Sequence, residues 1–129
     1  MPDILARDVM ITDVFTVAGE SKVAFARLIM LRHNIGALPV VDRNNVVVGI
    51  ITQRDRDLAG EGVSDLLVLD LMTRALIKAK ETTPLRWIAE KMIDTGIQRI
   101  PVVNEKSKLL WLVTQTCVIK AALVHKLLK

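Results

Sequence analysis

The chain carries one sequence written twice, and this duplication constrains its fold more than any other feature. A shift of 62 positions without a gap aligns residues 8–59 with residues 70–121. Ten aligned positions are identical and cluster in apolar segments and turns: Asp8, Met10, Met30, Ile35, Pro39, Val40, Val41, Thr52, Gln53 and Ala59 match Asp70, Met72, Met92, Ile97, Pro101, Val102, Val103, Thr114, Gln115 and Ala121. Each half is small, and two copies are too few for a solenoid, so we expect a pseudo-symmetric pair with one core.

Each repeat has the pattern strand, helix, strand, strand, helix. In the first repeat the hydrophobic periods and turn residues predict strands and helices, in order, at residues 14–17, 20–34, 37–42, 46–51 and 52–59. The second repeat predicts the same order at 75–79, 84–95, 99–104, 108–113 and 115–128, after a flexible linker at 60–65. We therefore expect a mixed α/β (α+β) fold. Its two pseudo-symmetric β-α-β-β-α repeats, residues 1–62 and 63–129, are expected to pack through their sheets.

Composition excludes several classes of protein. Cys117 is the only cysteine, which rules out an intrachain disulfide and a cysteine metal cluster. His33 and His125 have no partners at metal-ligand spacing, so no metal or catalytic site is expected. Charges in the first fifteen residues interrupt any signal-peptide core, and the longest aliphatic run, 46–51, is too short to cross a bilayer. The sequence predicts a cytoplasmic protein without a membrane partner.

The net charge of +4 is unevenly divided between the repeats. Residues 1–62 carry seven Lys/Arg and eight Asp/Glu, whereas residues 63–129 carry eleven and six. This distribution favours an anionic ligand near the second repeat, although a solvated lysine surface explains it equally well. Nucleic acid is a weaker candidate, because the chain has no Tyr and only two Phe for base stacking.

The helix predicted at 20–34 is apolar on more than one face, which is typical of a helix covered on two sides. The helix predicted at 84–95 shows the same tendency, with Trp87 beside its core stripe. Because so small a domain has little of its own to cover a second face, we predict a homodimer. The alternative is that these are isolated exposed apolar residues, which are normal on protein surfaces.

Three short motifs occur along the duplicated chain. The middle strand carries Leu38-Pro39-Val40-Val41-Asp42 in the first repeat and Ile100-Pro101-Val102-Val103-Asn104 in the second. The last strand–helix junction of the first repeat carries Gly49-Ile50-Ile51-Thr52-Gln53-Arg54-Asp55. The entry to each repeat carries Asp8-Val9-Met10 in the first and Asp70-Leu71-Met72-Thr73 in the second. Together they resemble the CBS (cystathionine-β-synthase) domain over nearly the whole chain.

The resemblance implies a tandem CBS pair, or Bateman module, which generally binds adenosine-containing ligands between its repeats and regulates another protein. It implies that Thr52 and Asp55 bind the ribose, and an ionised carboxylate can indeed accept hydrogen bonds from both ribose hydroxyls. Taken alone, Thr-x-x-Asp at a helix start is also explained as a helix cap. AMP, ADP, ATP and S-adenosylmethionine remain open as ligands, and no cofactor or enzymatic activity is expected.

The second repeat departs from the pattern, because Trp111 stands at the position of Gly49 and Cys117 at that of Asp55. A thiol cannot replace a carboxylate as the diol acceptor, so we expect the site of the second repeat to be weakened or blocked, leaving one competent site per chain. Cys117 itself is expected to be a small buried residue.

The resemblance further implies that a nucleotide held by the first repeat reaches the second. Its base would pack near Leu76 and Ile77, and its phosphates would meet Gln98 and Arg99. Thr114 and Thr116 would lie nearby. The rival hypothesis is a ligand-independent dimeric scaffold that binds another polypeptide.

Overall fold

The computed structural model describes residues 3–11, 14–54, 62, 65–74 and 77–125. The elements, in chain order, are α1 (Ala6–Val9), β1 (Val17–Ala18), α2 (Val23–His33), β2 (Ala37–Val41), β3 (Val47–Thr52), α3 (Val68–Leu71), α4 (Leu85–Thr95), β4 (Arg99–Val103), β5 (Leu109–Thr114) and α5 (Gln115–His125). Strands β1, β2 and β3 form one sheet in that order, with β1 parallel to β2. Strands β4 and β5 form an antiparallel pair. The predicted mixed α/β class is confirmed.

The elements belong to two compact units. The described residues of Phe15–Leu76 form the first unit, and those of Met1–Val14 and Ile77–Lys129 form the second. In the second unit the Leu85 N–H donates to the Ile4 carbonyl at 2.7 Å, and in the first the Val23 N–H donates to the Leu66 carbonyl at 2.9 Å. The units therefore do not coincide with residues 1–62 and 63–129, since each unit includes the segment that opens the other sequence repeat.

The described residues form two separate aliphatic cores, one in each unit, so the expectation of a single shared core is wrong. In the first unit, buried side chains from β1, α2, β2, β3 and α3 form one cluster: Val17, Val23, Ala26, Met30, Leu38, Val40, Ile51, Val68 and Met72. In the second unit the cluster is Ala6, Ala79, Leu85, Ile88, Met92, Ile100, Val102, Val113, Cys117 and Ala121. Helix periodicity places every third or fourth residue of α2 and α4 in these cores and turns the rest outward.

The two hairpins repeat each other in detail. The Asp42 carboxylate accepts from the Asn44 and Val46 N–H groups at 2.8 and 3.0 Å. The Asn104 side-chain oxygen accepts from the Lys106 and Lys108 N–H groups at 2.9 and 3.0 Å. Each ladder also shifts register at aligned positions, 40/41 and 102/103. A short polar side chain that bonds its own turn thus fixes both hairpins.

Helices α1 and α3 lie in the segments that open the two repeats, for which the sequence predicted no helix. Asp8 accepts from the Leu5 N–H at 2.8 Å, and Asp70 accepts from the Leu67 N–H at 3.1 Å. An acidic third residue that reaches back to the cap N–H satisfies an otherwise unpaired donor at the helix start. The Asp8/Asp70 identity is therefore explained by capping.

Several predicted bounds need correction. The strand predicted at 14–17 is only Val17–Ala18. A turn in which the Ser21 N–H donates to the Ala18 carbonyl delays α2 until Val23. Of the strand predicted at 75–79, Ala79 makes only an isolated bridge to Val102. The helix predicted at 52–59 is helical at Gln53 and Arg54, and its remainder lies outside the described residues.

Candidate functional site

Strand β5 passes directly into helix α5 at the junction that corresponds to Thr-x-x-Asp in the first repeat. The Thr114 hydroxyl accepts from the Cys117 N–H at 3.2 Å, and it also donates to the Cys117 Sγ at 3.2 Å. This is the geometry of a helix cap, because the hydroxyl satisfies a donor of the first turn. In the second repeat, therefore, the capping interpretation of this motif holds.

Cys117 is buried, at 9% exposure, and contributes to the core of the second unit. The prediction of a small buried residue is confirmed. Its thiol accepts a hydrogen bond from the Thr114 hydroxyl, and it offers no pair of carboxylate oxygens at this junction.

A groove of about 490 Å³ opens beside this junction, entirely within the second unit. Residues from α1 and the segment after it, the end of β5 and one face of α5 line it: Val9, Ile11, Thr114, Thr116, Cys117, Lys120, Ala121 and Val124. The walls are mainly apolar, with two hydroxyls, the thiol and one ammonium group. The described residues that line the groove include no carboxylate, so they can hold an apolar body and a polar or anionic group but offer no diol acceptor of the kind that Asp55 carries.

Sequence reasoning named Thr114, Thr116 and Cys117 at this junction but missed the other lining residues. Cys117, Lys120 and Val124 are spaced by three and four positions along α5, which puts them on one helix face. That spacing was a usable signal. Val9 and Ile11 could not be found this way, because they reach the groove only through the pairing of Ile11 with Leu112.

Gln98 and Arg99 lie at the start of β4, next to the end of β5. Arg99 is directly opposite Thr114 in the ladder, and the Gln98 carbonyl accepts from the Gln115 N–H at 2.8 Å. Ile77 is half-buried and packs against the core of the same unit. These three predicted residues share the second unit with Thr114 and Thr116, although they do not line the groove.

Thr52 belongs to the first unit, where it is half-buried and opposite Ala37 at the end of β3. The Gln53 N–H donates to the Gly36 carbonyl at 2.8 Å, which repeats the Gln115–Gln98 bond. The two junctions thus share one backbone arrangement. Asp55 and Leu76 lie outside the described residues, so their roles stay predictions.

Gly49 stands in β3 immediately before Ile50, which pairs with Thr73 through both backbone bonds. A Cβ at Gly49 would lie 2.6 Å from the Met72 Sδ and 2.9 Å from the Thr73 carbonyl oxygen. In this unit a side chain at position 49 would require Met72 and the Thr73 backbone to move, whereas the equivalent bridge of the second unit, Ile11 with Leu112, forms beside Trp111. At the aligned position in β5, Trp111 is half-buried and packs against the core.

A smaller polar cavity of about 210 Å³ lies in the first unit. Its walls come from α2, the turn after α2 and the residue that follows β3: Arg27, Met30, Leu31, Asn34, Ile35, Gly36 and Gln53. Within the described ranges, no group of three His, Cys, Asp or Glu side chains could hold a metal ion. No helix in that part of the chain is long and apolar enough to cross a membrane.

A family model of the CBS domain matches residues 6–55 and 63–123, so this chain belongs to the CBS domain family. The predicted resemblance is confirmed. Among curated relatives, inosine-5'-monophosphate dehydrogenase of Methanocaldococcus jannaschii is 33% identical over 115 residues, which are 89% of this chain. The chain spans only 23% of the length of that enzyme.

Solved structures of CBS domain pairs have the same fold. The CBS domain pair of protein MJ0100, in complex with 5'-methylthioadenosine and S-adenosyl-L-methionine, matches with a TM-score of 0.84 at 31% identity, covering 97% of this chain and 99% of that one. CBSX2 in complex with AMP, a protein of Arabidopsis thaliana, matches with a TM-score of 0.85 at 26% identity, covering 95% and 98%.

Proposed function

We propose that this chain is a regulatory module that binds one adenosine-containing ligand, AMP, ADP, ATP or S-adenosylmethionine, and thereby alters its affinity for a protein partner. The observation that carries the proposal is the likeness, over 97% of the chain, to a CBS pair in complex with two adenosine compounds. The module itself performs no chemistry. Any catalytic activity belongs to the protein that it regulates.

Asp55 is the proposed ribose-binding residue, with Thr52 beside it. Thr52 is the last residue of β3 and Asp55 comes three residues later, where a carboxylate can accept hydrogen bonds from the two ribose hydroxyls. Leu76 and Ile77 are proposed to contact the base. The phosphates or the methionine portion are assigned to the start of β4, at Gln98 and Arg99, and to the nearby hydroxyls of Thr114 and Thr116.

The asymmetry of the two junctions supports a single site per chain. At the second junction the Thr114 hydroxyl donates to the Cys117 Sγ, and the described residues that line the groove include no carboxylate. A ribose placed in that groove would lose its charge-assisted contact, which is worth about 1.5–3 kcal/mol. Adenosine compounds should therefore prefer the site of Asp55 by at least about tenfold.

The first test is a thermal-shift titration with AMP, ADP, ATP, GTP and S-adenosylmethionine. A ligand at 100 times its Kd adds about 2.7 kcal/mol to the free energy of unfolding and raises the Tm by several degrees. The shift should disappear in Asp55→Ala and remain in Glu105→Ala, which removes an exposed carboxylate from the turn before β5. An equal shift in both variants would overturn the role of Asp55.

The single-site proposal is tested by isothermal titration of the ligand found in that screen. The wild type should bind one equivalent per chain. Cys117→Asp, which places a carboxylate at the second junction, should bind a second equivalent if it remains folded by circular dichroism. Two equivalents bound to the wild type would refute the single-site proposal.

A ligand-independent scaffold is the second candidate, favoured by exposed apolar side chains on α2 and α4. The side chains of Leu28, Leu31 and Ile93 are 57%, 64% and 81% exposed in the isolated chain. Surfaces of this kind mark protein interfaces. Absence of any thermal shift with all five compounds, together with a stable dimer, would favour the scaffold over the sensor.

A further inference from the structure

The β4–β5 hairpin and the segment before α4 bring three lysines together at one end of the second unit. Ala79 forms a parallel bridge with Val102, which places residue 80 beside the turn that joins β4 to β5. There the Lys80 ammonium donates to the Asn104 carbonyl at 3.0 Å. The turn adds two further lysines, and the side chains of all three are exposed. We call Lys80, Lys106 and Lys108 the lysine cluster.

Hydrogen bonds of the backbone hold the bases of these side chains in place. The Asn104 side-chain oxygen accepts from the Lys106 and Lys108 N–H groups, and the Lys80 N–H donates to the Thr83 hydroxyl at 2.8 Å. An ammonium group has three N–H donors, so Lys80 can bond the Asn104 carbonyl and still donate to a second acceptor. A cluster anchored in this way loses less conformational freedom when it binds than lysines on a mobile segment would.

The hairpin of the first unit shows that the fold does not require the lysine cluster. Its turn has the same acceptor arrangement around Asp42. The positions aligned with the three lysines carry Ala18, Asn44 and Val46 instead. The ammonium that bonds the Asn104 carbonyl thus has no counterpart there, although the hairpin forms. The geometry of the turn explains Asn104 but not the three lysines.

The charges at the two hairpin turns differ accordingly. Positions 80, 104, 105, 106 and 108 carry three lysines and one glutamate, a net charge of +2. The aligned positions 18, 42, 43, 44 and 46 carry one aspartate and one arginine, a net charge of zero. A compact positive patch on one unit attracts an anionic surface and orients its approach.

We infer that the lysine cluster is a docking surface for an acidic polypeptide segment of a second protein. The inference goes beyond the ligand site and rests on the proposed function in one respect, since that function requires a protein partner. Each exposed ammonium can form a charge-assisted hydrogen bond with an Asp or Glu carboxylate. The cluster therefore selects partners by runs of acidic residues.

Glu105 favours a polypeptide over nucleic acid as the occupant. Its side chain is exposed in the same turn, next to Lys106. A nucleic acid strand is anionic at every phosphate, so a strand that crosses the turn would bring a phosphate near this carboxylate. A polypeptide can place a neutral or basic side chain there and acidic ones beside the lysines. Lysine also lacks the planar fork of arginine that pairs with phosphates and bases in a bidentate manner.

The docking surface is tested by fluorescence anisotropy with a fluorescein-labelled peptide of alternating Glu and Ser. The wild type should bind this peptide, and the Kd should rise about tenfold between about 0.05 M and about 0.2 M salt, because exposed charges are screened. Lys80→Gln/Lys106→Gln/Lys108→Gln should raise the Kd about tenfold at the lower salt concentration. A labelled peptide of alternating Gln and Ser should not bind.

The matched control is Arg27→Gln/Arg43→Gln/Arg86→Gln, which removes the same number of positive charges from exposed positions elsewhere. This variant should bind the acidic peptide within about twofold of the wild type. An equal loss of affinity in the two triple variants would show that only the net charge matters, and would overturn the inference.

A second variant keeps the bond between Lys80 and Asn104, which the glutamine variant removes. Lys106→Glu/Lys108→Glu should lose measurable binding of the acidic peptide while its circular dichroism spectrum matches that of the wild type. Undiminished binding by this folded variant would contradict the inference even if the glutamine variant failed to fold.

Nuclear magnetic resonance locates the contact on the wild-type chain. In ¹H–¹⁵N spectra the acidic peptide should shift the amide signals of residues 78–81 and 104–108 most strongly. Largest shifts elsewhere in the chain, or no saturable binding at about 0.05 M salt, would overturn the docking surface.

Nucleic acid is tested in the same anisotropy experiment with labelled oligothymidine and with a mixed-sequence DNA duplex. Both should bind more weakly than the acidic peptide. Tighter binding of either one, lost in the glutamine variant of the lysine cluster, would assign the cluster to nucleic acid and overturn the polypeptide inference.

These results are separable from the ligand proposal, because the lysine cluster has no part in the proposed adenosine site. The thermal shift with an adenosine compound should be the same in the glutamine variant as in the wild type. A wild-type chain that binds an adenosine compound but not the acidic peptide would refute the docking surface alone. Binding of the peptide without any thermal shift would refute the sensor alone.

Discussion

The two hairpins and the two strand–helix junctions differ in what the duplication has preserved. The hairpins share their turn acceptors and their register shifts. They also share a backbone hydrogen bond, from Gln53 to Gly36 in the first and from Gln115 to Gln98 in the second. The junctions share this backbone but differ in side chains, with Asp55 and Gly49 in the first repeat and Cys117 and Trp111 in the second. Requirements of the fold have thus been kept in both copies, whereas groups that could contact a ligand have diverged.

If the two cores are equivalent, truncating aligned core side chains to alanine should lower the free energy of unfolding equally in both units. Leu38 and Ile100 are aligned, and both are 0% exposed. Leu38→Ala and Ile100→Ala should each lower the free energy of unfolding by about 3 kcal/mol, because each leaves a cavity in a closed aliphatic core. Urea denaturation followed by circular dichroism measures both. Costs that differ by more than about 2 kcal/mol would break the equivalence of the cores.

The close approach at Gly49 should be specific to the first unit. Gly49→Ala should lower the free energy of unfolding by about 2 kcal/mol, since the new Cβ meets both Met72 and the backbone of Thr73. Trp111→Phe, the matched control in the second unit, removes part of a half-buried ring without a backbone clash. A loss from Trp111→Phe as large as that from Gly49→Ala, in the same denaturation experiment, would contradict the proposed asymmetry.

The cap at the second junction should make a smaller contribution. Thr114→Val keeps the shape of the side chain and removes the hydroxyl that accepts from the Cys117 N–H, so the free energy of unfolding should fall by about 1 kcal/mol. Thr114→Ser keeps the hydroxyl and should recover most of that loss. The Tm of the two variants provides the comparison, and equal values would show that the hydroxyl has no capping role.

Exchanging the turn acceptors should have the smallest effect. Asp42→Asn and Asn104→Asp each retain the oxygen that accepts from two backbone N–H groups. Each change should alter the free energy of unfolding by no more than about 0.5 kcal/mol. Asp42→Ala is the contrasting variant, because it removes the acceptor altogether. A large effect of either exchange would show that the hairpins are less alike than their geometry indicates.

The sequence predicted what local pattern and duplication can encode. Alternating and helical periods located α2, α4 and both hairpins to within a few residues, and Cys117 was expected to be buried. Helices α1 and α3 have only four residues each. They are too short to show a period, and their ends depend on Asp8 and Asp70, so pattern alone could not identify them.

Long-range pairing was beyond the sequence argument. No periodicity shows that Ile11 pairs with Leu112, although this contact brings Ile11 to the groove beside Cys117. The resemblance, not the periodicity, singled out Thr52 and Asp55, since their spacing is also that of a helix cap. For Thr114 and Cys117 the structure shows the cap directly.

The exchange of opening segments determines the order in which the protein can fold during synthesis. The first unit uses one continuous stretch, Phe15–Leu76, so its contacts become available once that stretch has left the ribosome. The second unit cannot form its contacts to residues 4–11 until residues 83–112 have been synthesised, because Ile4 pairs with Leu85 and Ile11 with Leu112. Residues 4–11 therefore belong to the unit that is completed second, and they have no partners in that unit until the strands and helices of residues 83–112 have been synthesised.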